Sequence, residues 1–576
     1  MQSHSPRAPA RIAFLLPVAL VAIVPFHDGA PGTLMTPAPA RAQAVAAFDG
    51  QRAVALVDAR FVSFAVDTIQ VVGGPFWAPP GQGKGLLSTS PVSRFSFTRP
   101  RLRRLAGALG PAYLRIGGTD ADRTVYDLGD APGSQAPGKA HGVLTRAIWD
   151  EVNGFARELD LRLLFTLNAG PTARDAAGDW DPAGARKLIA YSVARGYPVD
   201  VWELGNEANA FPVAHGMWLS SERYAADLGR ARRLLDELDP SARLAGPASS
   251  YWPVLGAWRS AFDDGVLNHA GELLDVVSWH YYPQQSYRCP VATRSAHAGR
   301  MMTSAALADL DAWADEVESA TRAHTDGAEV WLGETGSAQC GGEPGFSNAF
   351  ADALWWGDTL GRVARRGQKV VVRQTLAGAD YGLIDERTME PNPSYWVSWL
   401  WRRLMGTRVL AAAGDGAGAG VLHAYYQCAR PGAPGYRRGA VSALFVNIAE
   451  ETAVTVDLAR TGAAGAVAYR LTAPNLRARR TWLNGAPLAP LADGTPPDLG
   501  ALGESIPDGA ALELPAASLA FVVLPAADAP ACREDLVPGA PVREAHRVHH
   551  APRPAALDPA SPVQAAATLR LGSLGS

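Results

Sequence analysis

VWELGNEANAF, residues 201–211, closes a short apolar run with an Asn-Glu pair. A strand buried on both faces of a parallel sheet reads as a continuous β-branched and aromatic run. Pro198 to Leu204 is therefore expected to be such a strand, with Gly205, Asn206 and Glu207 at its C-terminal end. Polar groups placed there sit where α/β barrels hold their chemistry. Asn and Gly also favour turns and helix caps, so one Asn-Glu pair does not decide between these readings. A second carboxylate in an equivalent position would decide it.

Working outward, strand-like runs alternate with helix-like segments between about residues 60 and 407. The runs end at Phe61–Asp67, Tyr113–Gly118, Leu163–Asn168 and Val201–Glu207, then at Arg243–Gly246, Val276–His280, Val330–Glu334 and Val370–Gln374. Amphipathic segments such as Ile148–Leu159 and Ala183–Val193 separate them, the second announced by Asp181 and Pro182. Eight strands with helices between predict an α/β fold, a (β/α)8 TIM barrel over residues 61–407. Beyond residue 408 the texture changes to a glycine-rich segment and short alternating runs, Ala443–Asn447, Val454–Asp457 and Leu519–Leu524, which predict a C-terminal β-sandwich over 408–533. Ala53–Val57, within an N-terminal segment 43–60, is expected to pair into that sandwich. Residues 534–576, rich in Pro, Ala and His, read as a disordered tail; His546, His549 and His550 there are read as solvated rather than metal-binding.

A chain of 576 residues exceeds what one core supports, and a net charge of -3 gives no general attraction to nucleic acid. Arg7 and Arg11 precede the apolar run Ile12–Phe26, and Ala40-Arg-Ala42 resembles a signal-peptidase site, so residues 1–42 are expected to be an export signal and the protein secreted or periplasmic. The long gap between run and triplet leaves an uncleaved anchor as the alternative, although the run is short beside the ~20 residues of a full span. No stable membrane insertion is expected once the signal is cleaved. Four cysteines, Cys289, Cys340, Cys428 and Cys532, favour two disulfides over a structural zinc site, because no close-spaced pair exists.

The second carboxylate is Glu334. Val330-Trp-Leu-Gly-Glu334 repeats the design of an apolar strand ending in an acid, and strands four and seven face each other across a barrel mouth. Two carboxylates flanking one cleft suit glycoside hydrolysis, one protonating the leaving oxygen and one attacking the anomeric carbon, with Asn206 placed to bond the sugar 2-hydroxyl. Trp279-His-Tyr-Tyr282 at the end of strand six, and Arg115 at the end of strand two, where it would orient the nucleophile, strengthen the reading.

At these residues the sequence resembles the heparanase family of retaining glycoside hydrolases. The likeness is carried by Val201–Glu207, Val330–Thr335, Ala112–Gly118, and Val371–Gln374 followed by Tyr381, and it runs from about Phe61 to Cys532. The resemblance implies an endo-β-glucuronidase acting on heparan sulfate or a related polysaccharide, without cofactor or metal. It makes Glu207 the acid/base and Glu334 the nucleophile, with Asp67, Asn206, His280, Tyr282, Gln374 and Tyr381 lining subsites. It also implies a disulfide between Cys428 and Cys532. Exo action, or a degenerate carbohydrate-binding protein, are the alternatives; loss of either glutamate would have favoured the last.

Several departures from the family pattern carry expectations. Asp130–His141 is short where the animal enzyme excises a long linker, which implies a single unprocessed chain, expected to act as a monomer. The loop Glu334–Gly342 has Cys340 where glycine is common, so carboxylate binding by backbone N–H would rest on Gly341, Gly342 and Cys340 itself. Cys289 and Cys340, in neighbouring loops at one mouth, are expected to pair; a free Cys340 is the alternative. After strand five, Ser249–Trp258 offers aromatic rings where the family has cations, for stacking on sugars or for packing. Arg362, Arg365, Arg366 and Lys369 are expected to be a solvated surface away from the mouth.

Overall fold

The computed structural model describes residues 41–533 apart from 79–81, 84–88, 130–139, 252–255, 291, 414–419 and 463; between 256 and 260 it describes backbone alone. Of the expected export signal, 1–42, only Arg41 and Ala42 are described, and they stand in a strand; most of the short linker, Trp252 and the histidine-bearing tail lie outside the described residues. Eight parallel strands form a closed barrel in chain order: β1 Val62–Asp67, β2 Tyr113–Gly117, β3 Arg162–Leu167, β4 Val199–Leu204, β5 Arg243–Tyr251, β6 Val276–Tyr281, β7 Glu329–Thr335 and β8 Val370–Arg373. Closure comes from β8 on β1, where Val371 faces Val62 and Arg373 faces Phe64.

The strands carry apolar side chains on both faces because helices cover the outside and the barrel fills its own interior. Tyr113, Leu164, Val201, Val276 and Trp331 pack together as a closed interior cluster. Two residues further along their strands stand Arg115, Thr166, Glu203 and Ser278, so the inward period of two turns from apolar to polar just below the catalytic rim. Gly333 sits at the same height on β7, where a Cβ would lie 2.1 Å from Ser278 Oγ. Outside, the helix Arg146–Glu158 begins on Thr145, whose Oγ1 accepts from Ile148 N at 3.4 Å, and buries Trp149, Val152 and Phe155. The helix Ala183–Ala194 has Pro182 before its first residue, and Asp181 Oδ1 accepts from Ala183 N at 2.9 Å.

An antiparallel region accompanies the barrel. Its larger sheet runs Phe48–Leu56, Met405–Ala412, Leu422–Ala429, Val441–Asn447, Ser518–Leu524, Val467–Thr472, Thr481–Leu483 and Ala486–Leu488, with Glu504–Ser505 on the flank of Val467–Thr472. A smaller sheet joins Arg41–Val45, Ala453–Asp457 and Leu512–Leu514. One face of the large sheet packs Phe445, Val522 and Ala468 with Val454, Val456 and Leu514 of the small one. The other face joins the barrel core through Leu444, Phe521 and Tyr469, with Phe521 edge-on to Trp401 of the helix Pro393–Leu404. Two chain segments ahead of the barrel therefore join these sheets, Phe48–Leu56 antiparallel to Met405–Ala412 and Arg41–Val45 parallel to Ala453–Asp457.

The basic run is only in part a solvated surface: Arg365 is exposed and Lys369 partly so, but the other two arginines are drawn into ion pairs. Arg362 is buried, ion-paired to Asp358 and Asp311, and Arg366 pairs with Asp315 and Glu318; Arg365 alone of the three arginines is half exposed. These arginines lie where the helix Phe350–Arg366 meets the helix Ser304–His324, and Asp358 also reaches the large sheet, accepting from Tyr425 at 2.5 Å. Burial of Arg362 beside Asp358 and Asp311 is what the run of basic residues did not announce.

Candidate active site

Glu207 stands just past β4 in the left-handed conformation, φ 53 and ψ 52, a strained setting for a residue with a Cβ. Its N–H donates to Ala248 O at 3.0 Å, and its carbonyl accepts from Ala210 N at 2.7 Å. Two residues on, Asn209 exchanges hydrogen bonds with the Ser250 backbone, at 3.2 and 3.1 Å. β5 thus clamps the turn that aims Glu207 inward. Glu334 arrives from β7, opposite, and is 6% exposed. His280 Nδ1 lies 3.2 Å from Glu207 Oε1 and 3.9 Å from Glu334 Oε2, and one carboxylate oxygen of each glutamate lies within 4.8 Å of the other.

Beneath them Arg115, fully buried, donates to Glu334 Oε2 at 2.7 Å, to Glu203 Oε2 at 3.0 and 2.8 Å, and to Asn206 Oδ1 at 2.8 Å. Burial alone would favour neutral groups. Instead the two carboxylates raise the Arg115 pKa, and Arg115 holds Glu203 below the ordinary carboxylate value of 4.5 against its own burial. Thr166 and Ser278 hydroxyls donate to Glu203 at 2.7 and 2.8 Å, which completes its coordination. Arg115 Nη2 also lies 3.4 Å from His280 Nε2, and the other ring nitrogen, Nδ1, faces Glu207. Tyr282 OH donates to Glu334 Oε1 at 2.7 Å, and burial followed by the Glu334 charge keeps that phenol protonated.

Asn206 is oriented by its acceptors and donors alike. Its Oδ1 takes Arg115 and Gly118 N at 3.1 Å, and its backbone N–H donates to the buried Asp122 at 2.8 Å. Its amide nitrogen has no protein partner among the described residues, so it is free to face the cleft.

A second group forms over β1, β7 and β8. Asp67 caps a short helix at the end of β1, and its pKa is raised by burial and then by the Glu334 charge. Gln374 Nε2 reaches Asp67 Oδ2 at 3.4 Å, and the Tyr381 hydroxyl, kept protonated by burial and then by the Asp67 and Glu334 charges, stands near the Gln374 side chain and the Gly341 N–H. Cys340, Gly341 and Gly342 form a left-handed turn with φ 61, 85 and 82. At Gly342 a Cβ would lie 2.6 Å from Tyr381 N, so only glycine fits. The turn is held by the disulfide Cys289–Cys340, by Asp380 N donating to Gly341 O at 2.9 Å, and by buried Arg288, which donates to Gly342 O at 2.5 Å and to Asp380 Oδ2 at 2.6 Å. A disulfide between Cys428 and Cys532 ties the large sheet to the last described residues.

All the expected site residues thus fall at one mouth, except Cys428 and Cys532, which lie in the antiparallel region. Among the aromatic residues after strand five, Tyr251 is not a sugar platform: it is buried against Trp279 and Trp313, and its hydroxyl donates to Asp263. The side chains of residues 252–260, Trp258 included, lie outside the described residues. Sequence reading missed Glu203, Asp122 and Arg288. Glu203 was legible as the inward neighbour, two residues on, of Val201; Arg288 carried no pattern. Glu207, His280 and Glu334 are spaced so that they could meet a divalent cation, but Arg115 already supplies positive charge at Glu334.

A closed (β/α)8 barrel with two facing carboxylates over a buried Arg-Glu layer defines a glycoside hydrolase. Residues 45–361 match the profile described as glycosyl hydrolase family 79, N-terminal domain, and the chain belongs to that family. Chicken heparanase is 32% identical over 75% of this chain and 89% of its own. Heparanase-like protein 1 of Arabidopsis thaliana is 29% identical over 77% and 87%, and human inactive heparanase-2 is 28% identical over 68% and 66%. Among solved structures, a 4-O-α-L-rhamnosyl-β-D-glucuronidase from Fusarium oxysporum shares the fold, with a TM-score of 0.58 at 17% identity, covering 84% of this chain and 99% of its own.

Proposed function

We propose that the protein is a retaining endo-β-D-glucuronidase that cleaves glucuronic-acid linkages in heparan-type polysaccharides as a single exported chain. The observation that carries the reading is the approach of one carboxylate oxygen of Glu207 to one of Glu334 within 4.8 Å, which suits the ~5 Å carboxyl separation of double-displacement enzymes better than the ~6.5 to 9.5 Å that an inverting enzyme leaves for water. Glu334, oriented by its hydrogen bonds from Arg115 and Tyr282, attacks the anomeric carbon, while Glu207 gives its proton to the departing oxygen. Glu207, now a carboxylate, takes a proton from the water that attacks the anomeric carbon and releases Glu334. Asn206 donates its amide to the 2-hydroxyl. Tyr381 and the Gly341 and Gly342 N–H groups receive the uronate carboxylate. The heparanase relatives support the substrate class, and two disulfides support export to an oxidising compartment.

The test is a pair of variants on 4-nitrophenyl β-D-glucuronide and on heparan chains, with the first-formed anomer followed by NMR. Glu334→Gln is expected to abolish turnover on both. Glu207→Gln is expected to lose about 100-fold or more on heparan, while glycosylation by the activated aryl glucuronide survives. The β-anomer should appear first. Appearance of the α-anomer first, or full activity of either variant on heparan, would overturn the assignment; binding without turnover by the wild type would mark a carbohydrate-binding protein.

A further inference from the structure

Among the described residues Trp218 is the most exposed large apolar side chain, at 74%. A single apolar side chain in water needs no explanation by itself. Trp218 differs in how firmly it is presented and in where it stands. The short helix Phe211–His215 ahead of it buries Phe211 and is pinned by Arg123 Nη2 donating to Ala214 O at 2.6 Å. Met217 N donates back to Phe211 O at 3.3 Å and its side chain packs on the core, Leu219 is buried, and Ser220 caps the next helix through Arg223 N at 3.3 Å. The indole is thus projected outward between two anchored neighbours.

Its place follows from the barrel order. The groups read as holding the uronate lie after β7 (Gly341, Gly342) and after β8 (Tyr381), and β4 stands across the barrel from β8. A chain with its glucuronate over β8, and its scissile oxygen at Glu207, runs out over the loop that follows Glu207. Trp218 is in that loop. Val213, 54% exposed, adds apolar surface to the same loop, and the loop's one titratable side chain, His215, is turned inward, with Nε2 3.9 Å from Asp122 Oδ2 and its pKa lowered to about 3 by burial. Between Glu207 and Ser220 there is no Lys or Arg. What the loop offers a polysaccharide is a flat apolar ring, which suits the C–H face of a sugar, and no site for sulfate.

We propose that Trp218 is a stacking platform for a sugar ring on the leaving-group side of the scissile bond, one that takes a lightly sulfated stretch of uronic-acid polysaccharide. The inference rests on the β-glucuronidase reading. Trp218→Ala and Trp218→Phe are compared with the wild type on an unsulfated N-acetylheparosan chain and on 4-nitrophenyl β-D-glucuronide. The ratio of kcat/KM on the chain to kcat/KM on the aryl glucuronide is expected to fall about tenfold in Trp218→Ala, mainly through KM, and to recover most of that loss in Trp218→Phe. The same substitutions in a Glu334→Gln background are run through gels containing the polysaccharide, where Trp218→Ala should migrate with less retardation. An unaltered ratio together with unaltered retardation would overturn the platform. Failure of the wild type to cleave the aryl glucuronide would instead overturn the glucuronidase reading, with the retardation still reporting on Trp218.

Discussion

At the scale of residues the site depends on one buried cation shared among acceptors. Arg115 spans Glu334, Glu203 and Asn206, so the carboxylate proposed as nucleophile is fixed by a partner it shares with a carboxylate that never meets substrate. Removing one member of a buried charge network typically costs about 3 to 5 kcal/mol. Glu203→Gln is therefore expected to lower stability on that order and to reduce kcat as Arg115 is left to Glu334 alone. Because Glu203 has a folded pKa below 4.5, its contribution is fully present above that value and is lost as the pH falls through the depressed pKa. The gap between wild-type and variant melting temperatures should accordingly be complete near neutrality and narrow as the pH drops below 4.5. An equal gap at all pH values would show that Glu203 does not act as an anion. The glutamates at the strand ends were readable because each closes an apolar run; Asp122, which accepts the Asn206 N–H, was not, since its partners are 47 and 84 residues away.

At the scale of elements, strands were more legible than turns. Each of the eight runs is a barrel strand, but β5 extends to Tyr251, past its expected end at Gly246, because it must clamp the Glu207 turn through Ser250 and Asn209. The turn Cys340–Gly342 owes its shape to Asp380, Arg288 and Cys289, contacts that local sequence cannot announce. The two disulfides should therefore act differently when removed. Each closes a long loop, 51 and 104 residues, worth about 4 to 5 kcal/mol in the chain-entropy account. Cys289→Ser with Cys340→Ser is expected to raise KM for glucuronides several-fold as well as lower the melting temperature; Cys428→Ser with Cys532→Ser should lower the melting temperature with KM held. The denatured, unreduced wild type should titrate close to no thiols, and two free thiols would refute the pairing at the mouth.

At the scale of the whole molecule, charge is mostly spent internally. The net charge is -3, and Arg362 and Arg366 are bound into carboxylate networks between the helices Ser304–His324 and Phe350–Arg366. Exposed ion pairs are worth about 0 to 1 kcal/mol each and are screened by salt, so a cleft relying on hydrogen bonds and rings should respond weakly to ionic strength. Activity on lightly sulfated chains is expected to change by less than about threefold between roughly 0.05 and 0.3 M NaCl. A steep decline, with strict dependence on sulfated substrate, would place unrecognised cations in the cleft.

The pairing of early strands with late ones also governs how the protein can be made. Phe48–Leu56 waits for Met405–Ala412, Arg41–Val45 waits for Ala453–Asp457, and β1 lacks one neighbour until β8 arrives. A chain emerging N-terminus first therefore carries two unpaired strands and an open barrel edge until most of it has been synthesised. Its yield in a host should be governed less by the stability of the finished enzyme than by how well chaperones shield those edges during translation and transport.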